Sequence, residues 1–116
     1  MAANPVPITS KFLTIEHRMA ADGSPLLKCH GRLIGDTGEQ LKTEVKKLLS
    51  TNKRIVVDLS SVEHMDSSGL GTVLATYVSA RTAGCELKLV NLSQRVSDLL
   101  RLTKLASVFE GYGEYL

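Results

Sequence analysis

The sequence has no tryptophan, and its aromatic residues are confined to Phe12, Phe109, Tyr77, Tyr112 and Tyr115. Proteins that hold unpaired bases stack them on clustered aromatics interleaved with Arg and Lys. With so few rings and a net charge of only +2, a nucleic-acid partner is not expected. No apolar run approaches the roughly 20 residues of a membrane-spanning helix, so no membrane partner is expected either. The opening MAANPVPITS has neither a basic n-region nor an apolar h-region and does not read as a signal peptide. Cysteine is scarce. Cys29 and Cys85 lie far apart and form no C-x-x-C, which suits two small core residues in a reducing compartment. His17, His30 and His64 show no metal-ligand spacing, so neither a metal nor a cofactor is expected. There is no internal repeat. What remains is a cytoplasmic globular chain of 116 residues, 43% hydrophobic and 22% charged, large enough for one core and too small for two. Residues 1–10 read as a flexible tail and residues 11–116 as a single domain.

The most informative stretch runs from Arg54 to Ala83. Ile55, Val56 and Val57 are a β-branched run that reads as a strand buried on both faces, over Arg54 to Asp58. A short polar loop is expected next. Asp66-Ser67-Ser68-Gly69 then leads into a helical stripe of Leu70, Val73, Leu74, Tyr77 and Val78. Strand, polar turn and helix make half of a βαβ unit. The serines therefore stand at the carboxyl edge of the sheet, where α/β folds meet their ligands and partners. Asp66 or Ser67 suits the N-cap. A helix N-terminus also tolerates a phosphate, so Ser67 could carry one without unfolding its helix. The group would add about −1.5 to −2 of charge and change what docks there. From the residues alone, a plain capping role for Asp66 and Ser67 is the simpler reading, because Asp and Ser lead N-cap preferences.

Around this unit the chain reads as ββαβαβα. Lys11–Met19 and Leu26–Leu33 form an antiparallel hairpin across Ala20–Pro25, with the first strand at an edge. A helix starts at Asp36 to Gln40, where Asp36 with Glu39, or Thr37 with Gln40, has capping-box spacing. It runs to about Ser50 on Leu41, Val45, Leu48 and Leu49. Lys42, Lys46 and Lys47 lie mostly on its solvated face. Gly84 ends the central helix, Glu86–Asn91 is a strand, and Ser93 caps a third helix with Val96, Leu99, Leu100 and Thr103 on one face and Leu102 and Leu105 widening it. Ser107–Glu110 is a candidate last strand. The fold class is thus α/β, a mixed sheet of four to five strands in which an antiparallel N-terminal hairpin joins parallel βα units packed with helices.

Catalytic readings of the central motif fit poorly. A nucleophile elbow needs G-x-S-x-G, whereas Ser67 lies between Asp66 and Ser68. His64, Asp66 and Ser67 are too close in sequence to align as a triad. A dinucleotide fingerprint needs a third glycine where Leu74 stands. No catalytic activity is expected. Gly69 and Gly71 either keep the helix start small enough for another protein's backbone to approach Ser67, or pack this helix on its own sheet.

Met65-Asp66-Ser67-Ser68-Gly69-Leu70-Gly71, preceded by Ile55-Val56-Val57-Asp58-Leu59, resembles the signature of the STAS domain family in its anti-sigma factor antagonist branch. The resemblance extends from about Lys11 to Phe109, through Leu87–Ser93 and Leu100–Leu105. It implies that Ser67, directly after the aspartate, is phosphorylated by a partner anti-sigma factor that is a serine kinase. It further implies that a metal-dependent serine phosphatase removes the group. Asp66, Ser67, Ser68, Gly69, Gly71 and Asp36 would form the partner surface. Ile34 departs from the pattern, since relatives often carry Asp there and the nearest acid here is Asp36. The chain also ends soon after Phe109, where many relatives continue into a further helix. The alternatives are a scaffold subunit of stressosome type and a sensor binding a nucleotide near Ser67. Self-association is left open.

Overall fold

The computed structural model describes residues 8–9 and 12–104. The elements, in chain order, are β1 (Ile8–Thr9), β2 (Leu13–Met19), β3 (Pro25–Leu33), α1 (Gly35–Lys46), β4 (Arg54–Met65), α2 (Ser67–Thr82), β5 (Glu86–Val90) and α3 (Gln94–Thr103). The five strands form one sheet in the order β1-β2-β3-β4-β5. β1, β2 and β3 pair antiparallel, and β3, β4 and β5 pair parallel. This is the expected mixed sheet. One difference lies at its margin. The first long strand is not the edge, because Ile8–Thr9, within the expected tail, pairs outside it in the register Ile8↔Ile15. The candidate strand at Ser107–Glu110 and the position of Leu105 lie outside the described residues.

The largest departure is β4. The polar stretch after Asp58 does not leave the sheet as a loop but continues as strand to Met65. Two irregularities accommodate it. Opposite β3, the register passes from Lys28↔Asp58 to His30↔Ser61, and from Gly31↔Val62 to Arg32↔His64. Each step places an extra residue in β4, as a β-bulge does. At the first bulge, Asp58 Oδ1 accepts a hydrogen bond from the Ser60 N–H at 2.8 Å, and Oδ2 accepts from Asn91 Nδ2 at 3.2 Å. A side chain thereby takes up a donor beside the interrupted ladder. Ser60, Glu63 and His64 are exposed while Leu59, Val62 and Met65 are buried. Polarity alone could not reveal this strand, since its pattern loses strict alternation at both bulges.

The core gathers Leu13, Ile15, Leu27, Cys29 and Leu33 with Ile55, Val57, Leu59, Leu87 and Leu89 from the sheet, covered by residues of all three helices. Burial pushes the Cys29 thiol up to about 12, so it behaves as a small apolar residue rather than a nucleophile. On α2 the buried positions are Gly69, Leu70, Val73, Thr76, Tyr77 and Ala80. Val78, expected in the stripe, is 53% exposed. Thr76 is buried instead because its hydroxyl donates to the Thr72 carbonyl at 2.7 Å, leaving a methyl for the core. On α3, Val96 and Leu100 are buried and Leu102 is not. α1 ends at Lys46, earlier than expected, and Leu48 and Leu49 pack against the core from the turns that follow.

α1 is tied to the sheet by one carboxylate. Glu44 is buried, and its Oε1 lies 3.0 Å from His17 Nε2 on β2 while Oε2 accepts from Lys47 Nζ at 2.9 Å. Burial works to raise the Glu44 carboxyl, but the hydrogen bonds from Lys47 and His17 outweigh it and hold the group below its ordinary 4.5. A lowered native pKa means that the contribution is fully present above the unfolded value and lost as the pH falls through the native one. Glu44→Gln is therefore expected to lower stability by on the order of 1–3 kcal/mol at neutral pH. It should also flatten the acid limb of a urea-melt series below about pH 4.5. An unchanged acid limb would remove Glu44 as its source.

Candidate functional site

The polypeptide leaves β4 at Met65 and enters α2 at Ser67 with Asp66 as the N-cap. Of the two capping residues that the sequence allows, the structure selects Asp66. Its backbone is extended (φ −108°, ψ −178°) and its Oδ1 accepts from the Gly69 N–H at 2.8 Å. The Leu70 N–H reaches the Asp66 carbonyl at 2.9 Å. Ser67 is thereby released from capping. It occupies the first helical position, and both Ser67 and Ser68 are exposed.

The turn is riveted to the end of β3. A Cβ on Gly69 would overlap the Leu33 carbonyl and lie 3.2 Å from the Ile34 nitrogen. The Asp66 N–H points to the same Leu33 carbonyl at 3.4 Å. The two glycines therefore have different duties. Gly69 packs this helix on its own sheet. Gly71 is exposed, and a Cβ there would meet nothing within 4 Å, so nothing in the fold requires it.

α1 closes the other side of the edge. Its N-cap is Ile34, which has no side-chain acceptor. Neither expected capping box forms. Instead the Thr37 hydroxyl accepts from the Ile34 N–H at 2.9 Å and lies 2.7 Å from the Arg32 carbonyl, to which it donates. The helix starts earlier than the spacing implied because Thr37 works from its third position. Asp36 is left exposed in the first turn, where its charge suits the dipole. Farther along, a Cβ on Gly38 would stand 2.9 Å from the Thr72 Cβ of α2. Contacts at Gly69 and at Gly38 thus join the starts of α1 and α2. They set Asp36, Ser67, Ser68 and Gly71 on one carboxyl edge. Sequence reading did not single out Gly38 or Thr72. The available signal was a glycine in the first turns of α1, where it costs about 1 kcal/mol relative to Ala.

Beside this edge, Arg32 stacks over Phe12, with the guanidinium carbon 5.5 Å from the ring centroid. Phe12 is 41% exposed. No group of three or more His, Cys, Asp or Glu among the described residues could hold a metal ion. No helix among them is long and apolar enough to cross a membrane.

The family model for the STAS domain matches residues 19–114. The anti-sigma-B factor antagonist of Listeria monocytogenes is 39% identical over 54 residues, covering 47% of this chain and 47% of that protein. The chain therefore matches about half the length of that curated relative. Among solved structures, an anti-sigma factor antagonist from Mycobacterium paratuberculosis superposes with a TM-score of 0.71 at 23% identity, covering 84% of this chain and 83% of the other. The anti-sigma factor antagonist SpoIIAA in its unphosphorylated form superposes with a TM-score of 0.64 at 20% identity, covering 78% and 81%. These structural likenesses establish the shared fold.

Proposed function

We propose that this chain, which belongs to the STAS domain family, is an anti-sigma factor antagonist controlled at Ser67. In the unphosphorylated state, the edge carrying Asp36, Ser67, Ser68 and Gly71 docks in the cytoplasm on an anti-sigma factor that is also a serine kinase, and the sequestered kinase releases its sigma factor. Phosphorylation of Ser67 ends docking by like-charge repulsion and by the desolvation of a dianion at the interface. A metal-dependent serine phosphatase resets the site. The chain itself catalyses nothing.

One observation carries this reading: Ser67 is exposed on a turn whose geometry does not depend on its side chain. Asp66 supplies the cap, Gly69 fixes the turn on β3, and Gly71 leaves room beside the hydroxyl. A group added to Ser67 changes the surface and spares the fold. A relative named as an anti-sigma-B factor antagonist and a structural neighbour described in an unphosphorylated form support the same reading.

The test is a pull-down from a lysate of the source cell, with intact-mass measurement of the bait. A kinase-type anti-sigma factor should co-purify with unmodified bait, and bait heavier by one phosphate should be absent from the complex. Peptide mapping should place the phosphate on Ser67. Recovery of other proteins alone, with no phosphate at Ser67, rejects the proposal.

A further inference from the structure

α3 uses one side for the fold. Val96 and Leu100 are each 1% exposed within the core, whereas Leu99 is half-buried and Leu102 is 81% exposed. Between this outward apolar edge and the end of β4 lies a groove of about 580 Å³, lined by Met65, Gln94, Arg95, Asp98, Leu99 and Leu102. A fully buried leucine stabilises a fold by roughly 1.5–3 kcal/mol. Leu102, exposed as it is, contributes little of that. A lone surface leucine needs no explanation, but this one stands with Leu99 at a cavity whose far wall, Met65, immediately precedes Asp66. The groove thus meets β4 at its last residue, directly before the Asp66 cap and beside the Ser67 edge.

Its charge is uneven. Asp98 Oδ1 accepts from Arg101 Nη2 at 2.6 Å and from Gln94 Nε2 at 2.7 Å, so the only acid among the described lining residues is already engaged within α3. Arg95 is exposed and makes no ion pair among the described residues. The groove presents apolar walls and a cationic rim. That combination fits an apolar side chain flanked by a carboxylate, with electrostatics favouring encounter and apolar burial holding the complex.

We propose that this groove is a second docking point for the anti-sigma factor, which enters it with an apolar side chain next to an acidic one. The identity of the partner rests on the function proposed above. The two points divide the work. The Ser67 edge reports the phosphorylation state, and the α3 groove selects the partner and supplies affinity that phosphorylation does not directly touch.

The experiment titrates the purified anti-sigma factor from the pull-down into five variants, Leu102→Ser, Arg95→Glu, Arg95→Lys, Ser67→Ala and Ser67→Asp, alongside the unchanged chain. Leu102 and Arg95 are exposed, so these variants should fold, and thermal melts verify it. Leu102→Ser and Arg95→Glu are each expected to weaken binding at least about tenfold, with Arg95→Lys retaining it. If both bind within about twofold of the unchanged chain while Ser67→Asp does not bind, the groove is rejected and the switch stands. If they lose binding while Ser67→Asp binds normally, the groove stands and the switch at Ser67 falls. If the unchanged chain retains no kinase-type anti-sigma factor, both proposals fall.

Discussion

Ser67→Asp is expected to weaken docking on the anti-sigma factor by about a hundredfold or more, while Ser67→Ala leaves it within about threefold. Juxtaposed like charges at an interface cost several kcal/mol, and each 1.4 kcal/mol is a factor of ten. Asp66 already places one carboxylate at this turn, so a second at Ser67 concentrates negative charge on the proposed docking edge. The free protein should not suffer. Ser67 is exposed, its hydroxyl is not the cap, and a negative charge in the first turn of α2 is favoured by about 0.3–1 kcal/mol. The signature is therefore a loss of binding with no loss of stability, read by calorimetric titration beside thermal melts. Equal binding of the two variants would move the switch away from Ser67. Loss of binding together with a collapse in melting temperature would point to damage of the turn instead.

The two glycines of the same motif should respond with opposite signs. Gly69→Ala drives a methyl into the Leu33 carbonyl. Both are backbone-fixed, so the turn must shift. Overpacking of this kind costs typically 1–3 kcal/mol and occasionally more, a large share of a net stability of about 5–15 kcal/mol. Gly71→Ala meets nothing within 4 Å, and replacing glycine inside a helix with alanine should stabilise by roughly 0.5–1 kcal/mol. Yet the added methyl stands on the exposed edge next to Ser67, where it should weaken partner docking. Chemical denaturation of both variants, with titration of Gly71→Ala, resolves the two roles. Comparable destabilisation by both substitutions would make Gly71 a packing residue. A stabilised Gly71→Ala that binds normally would show that no backbone approaches there.

Much of this was legible before any coordinates. The β-branched run Ile55–Val57 announced the central strand, and Asp66–Gly69 before an apolar stripe announced the helix start and the serines at the carboxyl edge of the sheet. What was missed has physical causes. β4 reaches Met65 through Ser60 and His64 because β3 keeps pairing with it as far as Leu33↔Met65, and it escaped notice because two bulges break the alternation by which strands are recognised. α1 begins at Gly35 because Thr37 takes up the Ile34 N–H from inside the helix. The periodicity also made the stripe of α2 too wide. Val78 fits the spacing as well as Tyr77, and only the placement of the sheet separates them.

The local chemistry of the proposed switch belongs to the sequence: a short acid able to cap, a hydroxyl after it, small residues next, and an apolar strand and helix on either side. Those choices act over a few residues and hold wherever the chain lies. Which glycine is structural and which is open was decided only when the end of β3 came to rest against the first turn of α2. That contact joins Leu33 and Gly69, residues far apart along the chain, and no pattern within either segment encodes it. The same assembly brought Gly38 onto Thr72 and set the outward leucines of α3 beside Met65. Propensity and periodicity are properties of neighbours in sequence, whereas a docking edge is a property of neighbours in space.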